Sequence, residues 1–240
     1  MLKKTLFTVI ASIVLCNSFA QNPHNVTLDP MKATTEFAIS GVTGVPFKEE
    51  SLASGASGSR YLFDDWKPGI IILYNGAEFS NVMLKFDAVK SKFYFNRHDT
   101  LFELMDDATE VKLINLDADE IMDFKRIISG NDKNSDSTFV RVLNGGKVPL
   151  YKEYSKKIEG ENMTNGMFTS EKRLVPHNSY WSIINNETIS VKLNKQSLEK
   201  LTDDKKDAIE TFIKSKKLNV KNEKDFTEII AYYNQISVAK

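Results

Sequence analysis

GIIILYNGAEFSNVMLKFDAVKSKFYF, residues Gly69–Phe95, carries the pattern of three consecutive antiparallel strands. Ile70-Ile71-Ile72-Leu73-Tyr74 is β-branched and aromatic, and Asn75-Gly76 follows it directly. Both residues tolerate positive φ, so the pair predicts a tight two-residue hairpin turn. In the next run Val82, Leu84 and Phe86 share one face, with Met83 and Lys85 on the other. After a break at Asp87-Ala88, Val89, Phe93 and Phe95 alternate with Lys90 and Lys92. A period of two is the signature of a half-buried strand, so the stretch predicts a meander with one apolar face.

Working outward, Arg60-Tyr61-Leu62-Phe63 opens the β-rich body and Trp66-Lys67-Pro68-Gly69 turns the chain into the meander. Further strands are expected at Thr100–Met105, Glu110–Leu116, Ile121–Ile128, Ser137–Leu143 and Val148–Tyr154. Ile121, Phe124 and Ile128 also fit a helical spacing, but Phe124, Arg126 and Ile128 alternate, which favours a strand. Glu159–Asn178 is polar and reads as a long loop or lid. Tyr180–Ile184 and Thr188–Leu193 form one more hairpin across Asn185-Asn186-Glu187. From Lys195 onward the apolar residues recur every three or four positions, which predicts short amphipathic helices. Asn222 suits the N-cap of the last one, whose stripe is Phe226, Ile229, Ile230 and Tyr233. The expected fold class is therefore α+β: a large antiparallel β-meander, open and curved or a half-barrel, followed by two or three short C-terminal helices.

The start of the chain has another character. Lys3 and Lys4 precede an apolar run from Leu6 to Leu15, and Ser18-Phe19-Ala20 supplies small residues before Gln21. That is the pattern of a secretory signal peptide, and the run is shorter than the ~20 residues a bilayer span needs. Acylation at Cys16 is disfavoured because Leu15 stands where a small residue is required. Residues 1–20 are thus expected to be a signal peptide and 21–59 a weakly ordered segment and linker containing Gly41, Gly44, Pro46 and Ala53–Ser59. Residues 60–193 would form the β body and 194–240 the helical segment. Localisation follows as exported, in the periplasm or at the outer-membrane periphery, with secretion as the alternative.

Cleavage after Ala20 would remove the only cysteine, and with it thiol chemistry and disulfides. The charge is balanced, 32 basic against 32 acidic side chains, which lacks the electrostatic footprint of a nucleic-acid binder. No later segment is apolar enough for a transmembrane span.

Gly58-Ser59-x-Tyr61-Leu62, Trp66, Gly69, Asn75-Gly76, Leu84-Lys85-Phe86-Asp87 and the closing Tyr232-Tyr233-Asn234 form a set of turn glycines and core aromatics. On these residues the chain resembles a broad group of exported, β-rich proteins from Bacteroidota-type bacteria with no assigned function. The likeness runs from Gly58 to Ile236. It implies a shared fold and compartment and no activity.

Chemistry-bearing residues are sparse. His24, His98 and His177 are the acid–base candidates, and Ser179 with His98 or His177 and an aspartate could assemble a triad. No Gly-x-Ser-x-Gly elbow supports one. Asp132-Lys133-Asn134-Ser135-Asp136 begins like a calcium loop, but Ser137 stands where glycine is required and Leu143 where the bidentate glutamate should be. Asp117, Asp119, Glu120 and Asp123 form a second acidic cluster at a turn. No catalytic residue, metal site or cofactor is expected.

Trp66, Trp181 and Tyr180, at strand ends, are the candidates for lining a binding groove. The expected protein is a non-enzymatic binding or interaction module whose partner is an envelope protein, a glycan or an apolar ligand. A histidine/carboxylate hydrolase and a structural or assembly accessory are the alternatives. Convergence of histidines with carboxylates would favour the hydrolase, and an apolar concavity would favour the binder over the accessory.

Overall fold

The computed structural model describes residues 42–48, 56–98, 100–128, 137–160, 163–164, 167–168 and 172–238. The expected leader at 1–20, Cys16, His24 and the calcium-like run Asp132–Asp136 lie outside them. In chain order the strands are β1 (Gly44–Phe47), β2 (Lys67–Leu73), β3 (Glu78–Asp87), β4 (Lys92–Arg97), β5 (Thr100–Leu104), β6 (Ala108–Asn115) and β7 (Glu120–Ile128). They continue as β8 (Ser137–Asn144), β9 (Leu150–Glu153), β10 (Lys156–Glu159), β11 (Met163–Thr164), β12 (Met167–Phe168), β13 (Arg173–Pro176), β14 (Ser179–Ile184) and β15 (Glu187–Val191). Three helices close the chain: α1 (Lys195–Thr202), α2 (Lys206–Lys216) and α3 (Glu223–Val238).

Eleven strands make one antiparallel sheet in the order β1-β5-β4-β3-β2-β6-β7-β8-β9-β14-β15. β1 and β15 are its two edges, so the sheet is open. It is also strongly rolled. The Phe93 ring on β4 lies 5.1 Å from both Phe124 on β7 and Phe139 on β8. β4 and β8 are five places apart in the order, which on a flat sheet is about 24 Å at ~4.8 Å per strand. The roll brings one face against itself and buries Phe86, Phe93, Phe95, Phe124 and Phe139 to 2% exposure or less. The curved, open sheet with C-terminal helices is the architecture that the period-two pattern and the change of period at Lys195 lead one to expect.

The central meander follows its sequence with two differences. Asn75-Gly76 is not a two-residue turn: the Leu73 N–H donates to Ala77 O, the Gly76 N–H donates to Leu73 O, and only Gly76 has positive φ, +81°. The result is a three-residue connection in which glycine takes the left-handed position. Val89 does not share the Phe93 and Phe95 face. It lies in the Ala88–Ser91 turn and is 40% exposed, because Asp87 Oδ1 accepts the Val89 and Lys90 N–H groups and holds the turn there. Gly69 is needed for space: a Cβ on it would lie 2.6 Å from Leu84 Cδ1 and 2.7 Å from Lys112 O.

Three regions depart from the sequence expectation. Gly44–Phe47, expected within a flexible connection, is an edge strand paired with β5, and the Phe47 ring stacks on Tyr94 at 4.4 Å. Glu159–Asn178, expected as a loop or lid, contributes to two small hairpins, β10 with β13 and β11 with β12. In β10 and β13 no position is fully buried, so no buried face imposes an alternation on them. The turn between β14 and β15 is two residues long, Asn185 and Asn186, both with positive φ.

Two cores result. The first lies inside the rolled sheet. The second is mainly aliphatic and lies between the helices and the β8–β15 end of the sheet, with Val148, Leu150, Val191, Leu198, Leu201, Ile209, Phe226, Ile229, Ile230 and Tyr233 buried in it. Helix α3 docks through the stripe expected of it, with Phe226, Ile229 and Ile230 at 0% exposure. Asn222 caps it by accepting the Asp225 N–H at 3.1 Å. Near its other end Asn234 accepts the Val148 N–H and donates to Gly145 O and Val148 O, clamping the β8–β9 connection. Among the described residues no helix is long and apolar enough to cross a membrane.

Candidate functional site

The three aromatic candidates stand in three different surroundings. Trp66 precedes β2, half-buried, with the Lys85 ammonium 5.3 Å from its ring centroid. Trp181 and Tyr180 are neighbours on β14 and so point to opposite faces. The Trp181 Nε1–H donates to Ser179 Oγ at 2.9 Å, and the Ser179 hydroxyl donates to Glu153 Oε2 at 2.9 Å. No single groove gathers the three rings.

Tyr180 belongs to a charged seam between the two cores. The strand register sets Phe124, Arg141, Lys152, Tyr180 and Val191 side by side across β7, β8, β9, β14 and β15. Phe124 lies in the first core and Val191 in the second. Glu223, the first residue of α3, accepts from Lys152 Nζ at 2.6 Å and from the Tyr180 hydroxyl at 2.5 Å. Arg141 donates to the Tyr154 hydroxyl at 3.0 Å and pairs with Glu120.

Burial pushes the Tyr180 phenol well above its ordinary range, and the Glu223 carboxylate adds to the shift. For Glu223 burial acts upward too, but the hydrogen bonds from Lys152 and Tyr180 and the charges of Lys152 and Arg141 outweigh it. Its carboxyl is held below the usual glutamate range. Lys152, Tyr180 and Glu223 thus spend their hydrogen bonds on one another, and Tyr180 is a fastener between sheet and helix.

Among the described residues His177 does not complete a triad. His177 Nε2, just after β13, lies 2.6 Å from Oε1 of Glu159, the last residue of β10, and both side chains are exposed. The Ser179 hydroxyl is directed to Glu153 and the Ser155 hydroxyl to the His177 carbonyl, so neither serine is presented to the imidazole. His98 sits in the β4–β5 turn with φ +52°. The acidic cluster is dispersed onto neighbouring cations: Asp117 pairs with Lys67, Asp123 with Lys112 and Glu120 with Arg141. Among the described residues no three His, Cys, Asp or Glu side chains gather as a metal site.

An apolar concavity exists, but on the helices. A cavity of about 300 Å³ opens between α1 and α2. Leu198, Ile209, Ile213 and Val220 line it, with Thr202 among them. Around them stand Lys195, Lys206 and Lys214 with Glu199 and Glu210. This size is at the lower end of the range for small-molecule sites.

The four ion pairs there are loose, 3.7–3.9 Å, beyond hydrogen-bond distance. Pairs elsewhere are tight by contrast, 2.6 Å for the part-buried Lys152–Glu223 and 2.7 Å for the buried Arg60–Asp87. The helical period marks Leu198, Leu201, Ile209 and Ile213 as an apolar stripe, and the interleaved lysines and glutamates read as a solvated face. That two such stripes meet without filling the space between them depends on how the helices cross, which no local pattern encodes.

Comparison with protein-family models, with curated proteins and with solved structures finds no match for this chain.

Proposed function

We propose that this protein is an exported cell-envelope binding module, without turnover of its own, that holds an apolar small ligand between α1 and α2. The observation that carries the reading is the cavity itself. It has aliphatic walls reaching down to Leu198 and Ile209, both 3% exposed, and an opening among charged side chains. The rolled sheet is a poorer candidate, because its concave face is filled by its own phenylalanines. Export rests on the charge–apolar–small-residue pattern of residues 1–20.

The test is a titration of the exported protein with 1-aminoanthracene, a neutral fluorophore sensitive to polarity. Saturable one-to-one binding that disappears in Ile213→Trp, at an unchanged melting temperature, is the expected result. Absence of binding in the unaltered protein would overturn the reading. The intact mass should correspond to an N-terminus at Gln21, and a lipid adduct on Cys16 would refute that processing.

A hydrolase remains the second reading because His177 and Glu159 form a close pair. Esterase, glycosidase, phosphatase and peptidase substrates would reveal it as turnover that vanishes in His177→Ala.

A further inference from the structure

We infer that the ligand of the α1–α2 cavity is an anionic amphiphile, a single medium-length acyl chain ending in a carboxylate. The inference rests on the binding reading above and specifies its chemistry. The walls are aliphatic and include no aromatic ring, so the cavity offers a flexible hydrocarbon chain good contact and offers a sugar no stacking platform. Its volume, about 300 Å³, is on the order of ten water volumes at ~30 Å³ each, enough for one short chain and too small for a two-chain lipid.

The head group follows from the surrounding charges. Lys195, Lys206 and Lys214 face two carboxylates, Glu199 and Glu210, which leaves one positive charge in excess. Lys195 is shared between Glu199 at 3.7 Å and Glu210 at 3.9 Å; Lys206 reaches Glu199 at 3.8 Å and Lys214 reaches Glu210 at 3.9 Å. None of these contacts is a hydrogen bond, so the ammonium groups keep donors for an incoming anion. An acyl chain buried among Leu198, Ile209, Ile213 and Val220 would bring its carboxylate to these lysines. The same arrangement disfavours a cationic head.

The experiment compares decanoate, decanol and decylammonium, each below its micelle concentration, by calorimetry on the exported full chain. Decanoate should bind about fivefold or more tightly than decanol, the effect of roughly one ion pair in water-like surroundings, and the margin should shrink as salt is raised. The triple variant K195Q/K206Q/K214Q leaves Glu199 and Glu210 unopposed and should bring decanoate to the decanol level or below it, while decanol still binds saturably. These lysines are exposed, so folding is not at stake, and a melting curve checks it.

Equal affinity for decanoate and decanol, or preference for decylammonium, would overturn the anionic head and leave the apolar cavity standing. Failure of all three ligands together with 1-aminoanthracene would overturn both readings.

Discussion

The two cores of this protein are built on different plans. The first is made by the sheet alone: aromatic rings from strands far apart in the order meet because the sheet rolls. Phe93 touches Phe86, Phe124 and Phe139 with centroids 4.9–5.1 Å away, and no helix is needed. The second is made by docking. An amphipathic helix lays an apolar stripe on the sheet end, and polar fasteners at either end, Glu223 and Asn234, hold it in register. The contrast teaches that closure of a curved sheet is a collective property, whereas docking divides into separable contacts.

The largest expected effect breaks the first plan. Phe93→Ala should cost about 3–5 kcal/mol, because its ring joins two distant wings of the sheet and the cavity left cannot collapse without unrolling it. The urea midpoint measures this, and a cost under 1 kcal/mol would show that the roll is held elsewhere.

Next, Ile230→Ala should cost about 2–5 kcal/mol by cavity formation in the second core. Amide exchange sharpens the comparison: protection in α1–α3 should fall well before protection in β3, β4 and β7. Simultaneous loss would mean that the two cores are one cooperative unit.

Glu223→Gln removes the charged fastener and should cost about 1.5–3 kcal/mol, the range for hydrogen bonds to a charged group. The sign of the pH dependence follows from the lowered folded-state value of Glu223. Its contribution is complete above the ordinary glutamate range and is lost as pH falls through the depressed value. Melting temperature against pH should therefore drop on the acid side in the unaltered protein and drop less in Glu223→Gln. Parallel curves would remove the seam from the account.

The smallest effect belongs to His177→Ala. It breaks an exposed pair, with side chains 43% and 51% accessible, and should change the midpoint by about 0.5 kcal/mol or less. A loss above 1 kcal/mol would tie the β10–β13 hairpin to the first core.

Much of this architecture is legible in the sequence because burial on one face imposes a period. Val82, Leu84 and Phe86 alternate visibly, and Phe226, Ile229, Ile230 and Tyr233 repeat at helical spacing. The strand at Gly44–Phe47 is not legible, since four residues with a glycine and a proline carry no alternation and take their place from β5. The β10–β13 hairpin is hidden for a related reason: Lys156–Glu159 and Arg173–Pro176 have no fully buried position to set a pattern. The candidate site is the least legible part. Its lysines and leucines are ordinary for amphipathic helices, and the space between them arises from packing. Tyr180 and Trp181 were marked by their type, but adjacent strand residues face opposite ways and find different partners.

The order of strands also bears on how the chain reaches this structure in time. Most ladders of the large sheet join strands that follow one another in the chain, and these close cheaply. Three ladders are different, β1 with β5, β9 with β14 and β2 with β6, and the last of these joins the two halves of the sheet across a loop that holds β3, β4 and β5. Before it forms there are two independent meanders, and after it there is one sheet able to roll. That ladder is where the entropic barrier should lie, in the millisecond-to-second range common to sheets with distant pairings. Trimming Ile71 or Val111, which face each other across it, should slow folding, while Ile230→Ala should chiefly hasten unfolding. The kinetic identity of the fold would then reside in one pair of central strands, and the helices would be late arrivals on a surface already made.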